Sequence, residues 1–275
     1  MTRGVSESID ACALTYMDRL AIDVQKAKRE HASYQALLRE LVDEVVELPP
    51  HHDTPDSCFV EDNAVVVDEI AVLASMGAPS RRDETERMVP VLGEYREVVR
   101  IESPGTLEGG DVFQVGRTVF VGRSTRTNES GGEQLREHLE PLGYSVVVVE
   151  TPGCLHLTTG GSHIGDGVVL CNPDWIDASR FELSDDVSGV WHVPSDEPWA
   201  GNTLLIDGIS IVHEGFVRTI EMLRSSGRDV RTLDIEELTK AEAGLTCLSL
   251  IFEKTPITLG DGGVRAGRAG SSSAR

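Results

Sequence analysis

The 275-residue sequence predicts an α/β fold built from repeated strand–turn–strand–helix–strand units arranged as a ring. The first indication is self-similarity. The runs FVEDNAVVVDEIAVLA from Phe59, GGDVFQVGRTVFVG from Gly109, TGGSHIGDGVVLC from Thr159, AGNTLLIDGISIVHEG from Ala200 and TCLSLIFEK from Thr246 each read as a short strand, a turn and a second strand. They begin roughly 40 to 50 residues apart, a period typical of repeat architectures. The second is turn chemistry: Asp166-Gly167 and Asp207-Gly208 are strong two-residue hairpin signals, and Val115-Gly116-Arg117 is a weaker one. The third is that the segments between these runs carry helical periodicity. Sheets inside and helices outside follow, and reactive residues at the start of each unit would meet at the centre.

In chain order, Asp23 caps a helix through Val45, with Val24, Ala27, Leu37, Leu38 and Leu41 on one apolar face. Ser80 and Asp83 resemble a capping box ahead of a helix through Tyr95. Asn128 caps a helix to Leu142, which Gly143 stops. SVVVVE from Ser145 and DVRTLDI from Asp229 read as strands. Glu214 to Ser226 is helical in pattern, with Phe216, Ile220 and Leu223 on one side, and Asp234 opens a short helix through Glu242. No Pro/Ser-rich linker interrupts the chain, so residues 1–259 read as a single catalytic domain. GDGGVRAGRAGSSSAR has little to bury, so residues 260–275 read as a disordered tail.

Composition narrows the function. The net charge is -21, from 46 acidic and 25 basic residues. That disfavours nucleic acid, whose phosphates need clustered Lys and Arg, and an anionic membrane surface. The hydrophobic and charged fractions, 40% and 26%, are those of a soluble globular protein. Five cysteines without a CxxC, an N-terminus without an apolar signal region and no run long enough to span a bilayer point to free thiols in a reducing cytoplasm.

One thiol can be a nucleophile. Cys247 follows a helical segment and a glycine and opens an apolar run, a place that exposes a side chain at a strand end; the plainer alternative is a small buried hydrophobe. His156, between Leu155 and Leu157, is the best partner for it, against the alternative of a structural histidine. Glu108 precedes Gly109-Gly110-Asp111, where it can accept a hydrogen bond from His156 and complete a Cys-His-acid set. The Cys154-x-His156 pair with nearby His163 is too sparse for a structural zinc site. Asp56, Glu61 and Asp62 form a second acidic group beside apolar residues, costly unless a cation pairs with it. A substrate guanidinium offers the planar fork of donors that two carboxylates grip; an internal arginine, Arg81, Arg82 or Arg126, would serve as well.

These segments together resemble the dimethylarginine dimethylaminohydrolase (dimethylargininase) family of the guanidino-group-modifying, or pentein, superfamily. Asp56-Ser57-Cys58-Phe59-Val60-Glu61-Asp62 is similar to its substrate-gripping segment, and Leu107-Glu108-Gly109-Gly110-Asp111-Val112 to its acid motif. Gly77-Ala78-Pro79-Ser80-Arg81-Arg82 and the segment from Phe120 to Asn128 resemble its two carboxylate-binding arginine segments. Leu155-His156-Leu157 and Leu245-Thr246-Cys247-Leu248-Ser249 resemble its histidine and nucleophile motifs, and all occur in the family order.

The resemblance implies a five-bladed α/β-propeller with pseudo-fivefold symmetry. It also implies a hydrolase that converts a methylated arginine to citrulline and a methylamine through a covalent Cys247 thiouronium. In that reading His156 is the general acid/base and Glu108 orients it. Asp62 with Glu61 holds the guanidinium, Asp56 binds the α-amino group, and Arg81 and Arg126 bind the α-carboxylate. The substrate is a small guanidino molecule; no cofactor or metal is required, and a monomer or homodimer suffices. The sequence departs from the family pattern at Thr158-Thr159 and Asn63, and the lid near Asp10 to Asp18 is the least constrained region. An arginine deiminase, an amidinotransferase and a non-catalytic propeller binding protein are the competing readings. The fourth repeat, around Asn202, offers no obvious chemical group.

Overall fold

The computed structural model describes residues 1–254, so the tail expected at 260–275 lies outside the described residues. The described chain is α/β, with five small sheets. Its strands are β1 (Thr2–Arg3), β2 (Glu47–Leu48), β3 (Ala64–Val66), β4 (Ile70–Leu73), β5 (Glu97–Arg100), β6 (Val112–Val115) and β7 (Thr118–Arg123). They continue with β8 (Ser145–Glu150), β9 (Gly161–His163), β10 (Val168–Cys171), β11 (Gly189–His192), β12 (Leu204–Ile206), β13 (Ile209–His213) and β14 (Asp229–Leu233). The α-helical elements are α1 (Val24–Leu41), α2 (Val89–Leu92), α3 (Glu129–Leu139), α4 (Leu157–Gly160), α5 (Val217–Ser225) and α6 (Glu236–Thr239).

Four sheets share one topology, β3-β4-β5, β6-β7-β8, β9-β10-β11 and β12-β13-β14. In each, an antiparallel hairpin is followed by a crossover to a strand parallel to the second hairpin strand. Parallel pairing requires such a crossover; α3 supplies it between β7 and β8, and α5 between β13 and β14. The hairpin turns are as the sequence predicts. Asp166 and Gly167 have φ 54° and 72°, and Asp207 and Gly208 have 48° and 81°, the paired positive φ of a type I′ turn.

The fifth unit differs from the expected hairpin. Thr246–Leu248 is a single 3-10 turn, and no strand follows it among the described residues. The chain's beginning fills the place: β1 pairs in parallel with β2, and Met1 and Leu250 exchange main-chain hydrogen bonds of 2.8 and 3.0 Å across 249 positions.

The helices follow their caps. Asp23 accepts from the amides of Gln25 and Lys26 and starts α1, which stops at Leu41 rather than Val45, where Val42 turns extended. Asn128 accepts from Gly131 N and starts α3; a 3-10 turn over Glu140–Leu142 ends at Gly143 with φ 85°. The long helix expected from Ser80 is absent. Short 3-10 turns at Pro79–Arg81 and Thr85–Met88 lead into the four-residue α2, and no capping box forms. Pro90 has no amide to donate, which limits a helix here to its first turn. The segments expected at 214–226 and 234–242 shrink to α5 and α6.

A short helical turn precedes or stands for the hairpin in all five units: Val60–Asn63, Gly109–Asp111, α4, Pro198–Gly201 and Thr246–Leu248. These turns touch in sequence. The first packs on the second and fifth, and α4 packs on the second and fourth. Hydrogen bonds from Asn202 to Thr246 link the fourth to the fifth. The apolar cores lie between consecutive sheets: Val72, Val121, Leu135 and Leu139 fill one gap, and Phe120, Val169 and Phe181 the next, with Phe120 and Phe181 edge-to-face at 5.1 Å. Among the described residues no helix is long and apolar enough to cross a membrane.

Candidate active site

The chemically capable side chains stand on or beside the helical turns. Glu108 and His156 occupy the residue before a turn, in extended conformation, with φ/ψ of -115°/139° and -134°/160°. Glu61, Asp62 and Cys247 lie within turns, so the first two are not part of a strand as their sequence context suggests. Gly110 makes the approach of these elements feasible. A Cβ there would sit 2.6 Å from Asp62 Oδ1 and 2.7 Å from His156 Nδ1, so only glycine lets the two side chains meet over this backbone.

His156 Nε2 bonds Glu108 Oε2 at 2.7 Å, and its Nδ1 lies 3.6 Å from Asp62 Oδ1. Both residues that face the imidazole are carboxylates, and all three are buried. Burial alone would lower the His156 pKa, but Asp62, the Glu108 hydrogen bond and Asp111 outweigh it and lift it to about 9. Burial would raise Glu108, yet its bond to His156 and the charges of His156, Arg81 and Arg126 hold it well below the usual carboxylate range. Glu108 also accepts from Ala78 N at 3.1 Å and Arg126 Nη1 at 3.2 Å. Asp62 Oδ2 takes Arg81 Nη1 at 2.5 Å, while its Oδ1 has no hydrogen-bond partner among the described residues.

Cys247, 5% exposed, lines a cavity with Asp56, Asp62, Arg81, Arg126 and His156. Burial, then the charges of Glu61 and Asp62, push its thiol pKa well above the ordinary value. The cavity is only about 20 Å³, and Ala13 is part of its lining, with Ala13 N bonded to both oxygens of Asp56 at 3.1 and 3.2 Å. Arg81 reaches this cavity with its guanidinium engaged by Asp62, Glu84 and Phe59 O, and Arg126 with one Nη on Glu108 and the other on Thr15 Oγ1.

Glu61 is the exception among the expected residues. Its carboxylate accepts from Thr246 Oγ1 at 2.8 Å and Thr158 Oγ1 at 3.4 Å. It lines a separate cavity of about 280 Å³ with Val65, Phe113, Ser162, His163 and Leu204. Burial first, then the charge of Asp62, raises its pKa to about 8. Glu61 therefore stands behind the cysteine turn and not in the cavity that Asp62 faces.

Three residues beyond the sequence-based set shape the site. Asn202 donates to Thr246 Oγ1 at 2.9 Å and Thr158 O at 3.0 Å and accepts from Thr246 N at 3.1 Å, so the fourth unit fixes the residue next to Cys247. Asp111 accepts from Leu157 N at 2.9 Å and Ser124 Oγ at 2.6 Å, fixing the turn after His156. Glu242 lines the Cys247 cavity. None carried a signal beyond its neighbourhood: Asp111 and Glu242 flank motif residues, and Asn202 follows a glycine in a repeat.

The side chains of Asp62, Glu108 and His156 offer ligand atoms within 4.8 Å of one another. Asp62 Oδ1 has no hydrogen-bond partner among the described residues, so this group suits a cationic ligand gripped by Asp62. The trio Cys154, His156 and His163 does not converge: Cys154 Sγ donates to His156 O, and His163 faces the cavity behind Glu61.

Residues 8–186 match the family described as N,N dimethylarginine dimethylhydrolase, eukaryotic. The chain is 35% identical over 256 residues to an N(G),N(G)-dimethylarginine dimethylaminohydrolase of Streptomyces coelicolor, covering 91% of this chain and 95% of that protein. It is 33% identical over 232 residues to the enzyme of the same name from Pseudomonas aeruginosa, covering 84% and 90%. The solved structure of the Pseudomonas aeruginosa protein, as a cysteine-to-serine mutant complexed with citrulline, superposes with a TM-score of 0.83 at 31% identity, covering 91% of this chain and 97% of that one.

Proposed function

This chain belongs to the dimethylarginine dimethylaminohydrolase family, and from that premise we propose that it hydrolyses Nω,Nω-dimethyl-L-arginine or Nω-methyl-L-arginine to citrulline and a methylamine. It is an amidine hydrolase, acting on a non-peptide C–N bond. The observation that carries the reading is that His156, hydrogen-bonded to Glu108, and Asp62 line one cavity that Cys247 also lines.

The guanidinium docks against Asp62 Oδ1, the carboxylate oxygen without a partner among the described residues. Asp56 takes the α-ammonium, and Arg81 and Arg126 take the α-carboxylate; all three line the same cavity. Glu61, tied to Thr246 behind the cysteine turn, braces that turn and does not itself touch the guanidinium. Burial and nearby carboxylates favour the neutral Cys247 thiol; a bound cation offsets those charges and stabilises the thiolate, the thiol proton leaving to solvent, so the nucleophile forms where substrate is present.

The thiolate forms a bond to the guanidinium carbon. His156, protonated at neutral pH, gives its proton to the departing nitrogen, whose C–N bond breaks and leaves a Cys247 thiouronium. Neutral His156 then removes a proton from water, the hydroxide adds to the same carbon, the C–S bond breaks, and citrulline leaves. Glu108 keeps the imidazole in place and stabilises its cation throughout.

The arrangement of five sheets, with the cores between them and their helical turns in a closed circuit of contacts, supports a five-bladed propeller acting as one catalytic domain. Five free cysteines among the described residues fit a reducing, cytoplasmic setting. The test compares kcat/KM for arginine, its mono- and dimethylated forms and agmatine, with citrulline and the released amine both quantified. Methylated arginines are expected to lead, and Cys247→Ala is expected to abolish turnover in a folded protein. Preference for arginine with ammonia release, or turnover by the alanine variant, overturns the reading.

A further inference from the structure

A second carboxylate with an unusual backbone sits in the cavity wall. Glu242, only 4% exposed, has φ 57° and lies five positions before Cys247. A non-glycine residue in the left-handed region is uncommon and persists where its surroundings over-determine it. Its side chain explains the constraint. Both carboxylate oxygens accept from Thr15 N at 3.0 Å, and Oε1 also accepts from Tyr16 N and Met17 N, each at 2.5 Å. Three consecutive amides converge on one carboxyl group, an arrangement that ties this stretch of backbone to a single side chain.

The loop so held covers the nucleophile. Ala13 lines the cavity with Cys247 and is bonded to Asp56, and Arg126 donates to Thr15 Oγ1. Arg19 reaches back to Cys12 O at 2.6 Å and closes the loop on itself. Otherwise the segment is lightly packed: Thr15, Tyr16, Asp18, Arg19 and Leu20 are exposed. Few apolar contacts and a hydrogen-bonded exposed backbone mark a segment of low local stability, so its position depends on the side chains that hold it.

We infer that Glu242 is the latch of a lid formed by residues 13–17 over Cys247, and thus a positioning residue that sets access to the nucleophile. The inference rests on the reading of this cavity as the substrate site. Asp56, assigned above to the substrate ammonium, holds the near end of the same loop at Ala13. Substrate entry must therefore release Ala13 from Asp56, while Glu242 keeps the far end hinged and returns the loop once the ammonium is bound.

The test uses ligand-free protein. Hydrogen exchange of the amides of Thr15, Tyr16 and Met17, and alkylation of Cys247 by iodoacetamide, are compared in wild type, Glu242→Gly, Glu242→Ala and Glu242→Gln. Glycine adopts φ 57° without strain, so its variant separates loss of the latch from failure to fold. In Glu242→Gly the lid amides are expected to exchange at least tenfold faster and Cys247 to react at least fivefold faster, with a Tm at or above that of Glu242→Ala. Gln, with one neutral acceptor oxygen, is expected to fall between. Unchanged exchange or alkylation in a folded glycine variant overturns the latch, whether or not wild type makes citrulline. Absence of citrulline from wild type, with the exchange as expected, overturns the substrate assignment alone.

Discussion

Asn202 and Thr246 exchange two hydrogen bonds, Asn202 Nδ2 to Thr246 Oγ1 at 2.9 Å and Thr246 N to Asn202 Oδ1 at 3.1 Å. The carboxamide thus clamps both the main chain and the hydroxyl of the residue beside the nucleophile. The same Thr246 hydroxyl donates a hydrogen bond to Glu61 at 2.8 Å, so a chain runs from the fourth unit through the fifth to the first. Asn202→Ala leaves the buried Thr246 amide unpaired and is expected to cost about 2 kcal/mol of stability. With the cysteine turn loosened, kcat is expected to fall about tenfold or more. Chemical denaturation and steady-state kinetics check both; full activity in the variant would mean that the clamp does not position Cys247.

The Glu108–His156 pair makes a statement about pH. The His156 pKa rises from its ordinary 6.5 to about 9 on folding. Its contribution to stability is therefore complete below pH 6.5 and is lost as pH rises through about 9. As the proposed proton donor to the leaving amine it must be charged, so activity is expected to decline above about pH 9. Glu108→Gln removes one of the groups that raise the imidazole, leaving Asp62 and Asp111. The alkaline limb of kcat/KM is expected to move down by about one unit, with kcat reduced about 10²-fold. A limb that stays in place would show that His156 is not the titrating acid.

Glu61 acts in the same direction through the opposite kind of group. Its folded pKa is about 8 against an ordinary 4.5, so the folded chain holds a proton that the unfolded chain releases between those values. Stability then falls as pH rises from 4.5 to 8. Glu61→Gln cannot ionise and is expected to flatten this decline, gaining on the order of 2 kcal/mol over wild type at pH 8. Thermal melts of both proteins across that range decide the matter; parallel curves would rule out Glu61 as the source.

Gly110 gives a steric prediction. Alanine there places its methyl within 2.7 Å of Asp62 Oδ1 and His156 Nδ1, closer than side-chain contacts allow. One of the two must swing away, and the array opens. Gly110→Ala is expected to cost about 1–3 kcal/mol in stability and about 10²-fold in kcat. A crystal structure or the pH profile of the variant would locate the displacement, and wild-type kinetics would contradict the close approach.

The parts legible in the sequence are those whose cause is local. Asp166-Gly167 and Asp207-Gly208 make their own turns, and Asn128 and Gly143 bound their own helix. Glu108 and His156 could be paired because each begins a repeat of the same shape. What escaped depends on partners distant in sequence or on elements too short for periodicity. The turn carrying Glu61 and Asp62 has four residues, fewer than the window in which a helical period can be told from a strand. Asn202 and Glu242 act through amides and hydroxyls 44 and more than 200 positions away. The helix expected from Ser80 followed the polar pattern and underweighted Pro90.

The pairing of Met1 with Leu250 sets an order on biosynthesis. Residues 1–48 emerge from the ribosome first, yet β1 and β2 find their last main-chain neighbour only when the residues around Leu250 have been made. During translation the opening segment waits as an unpaired strand edge, the type of surface on which nascent chains associate. Cys247, the proposed nucleophile, lies three residues before Leu250 and arrives with the closing seam. A chain cut short before residue 247 is therefore both open at its edge and without Cys247.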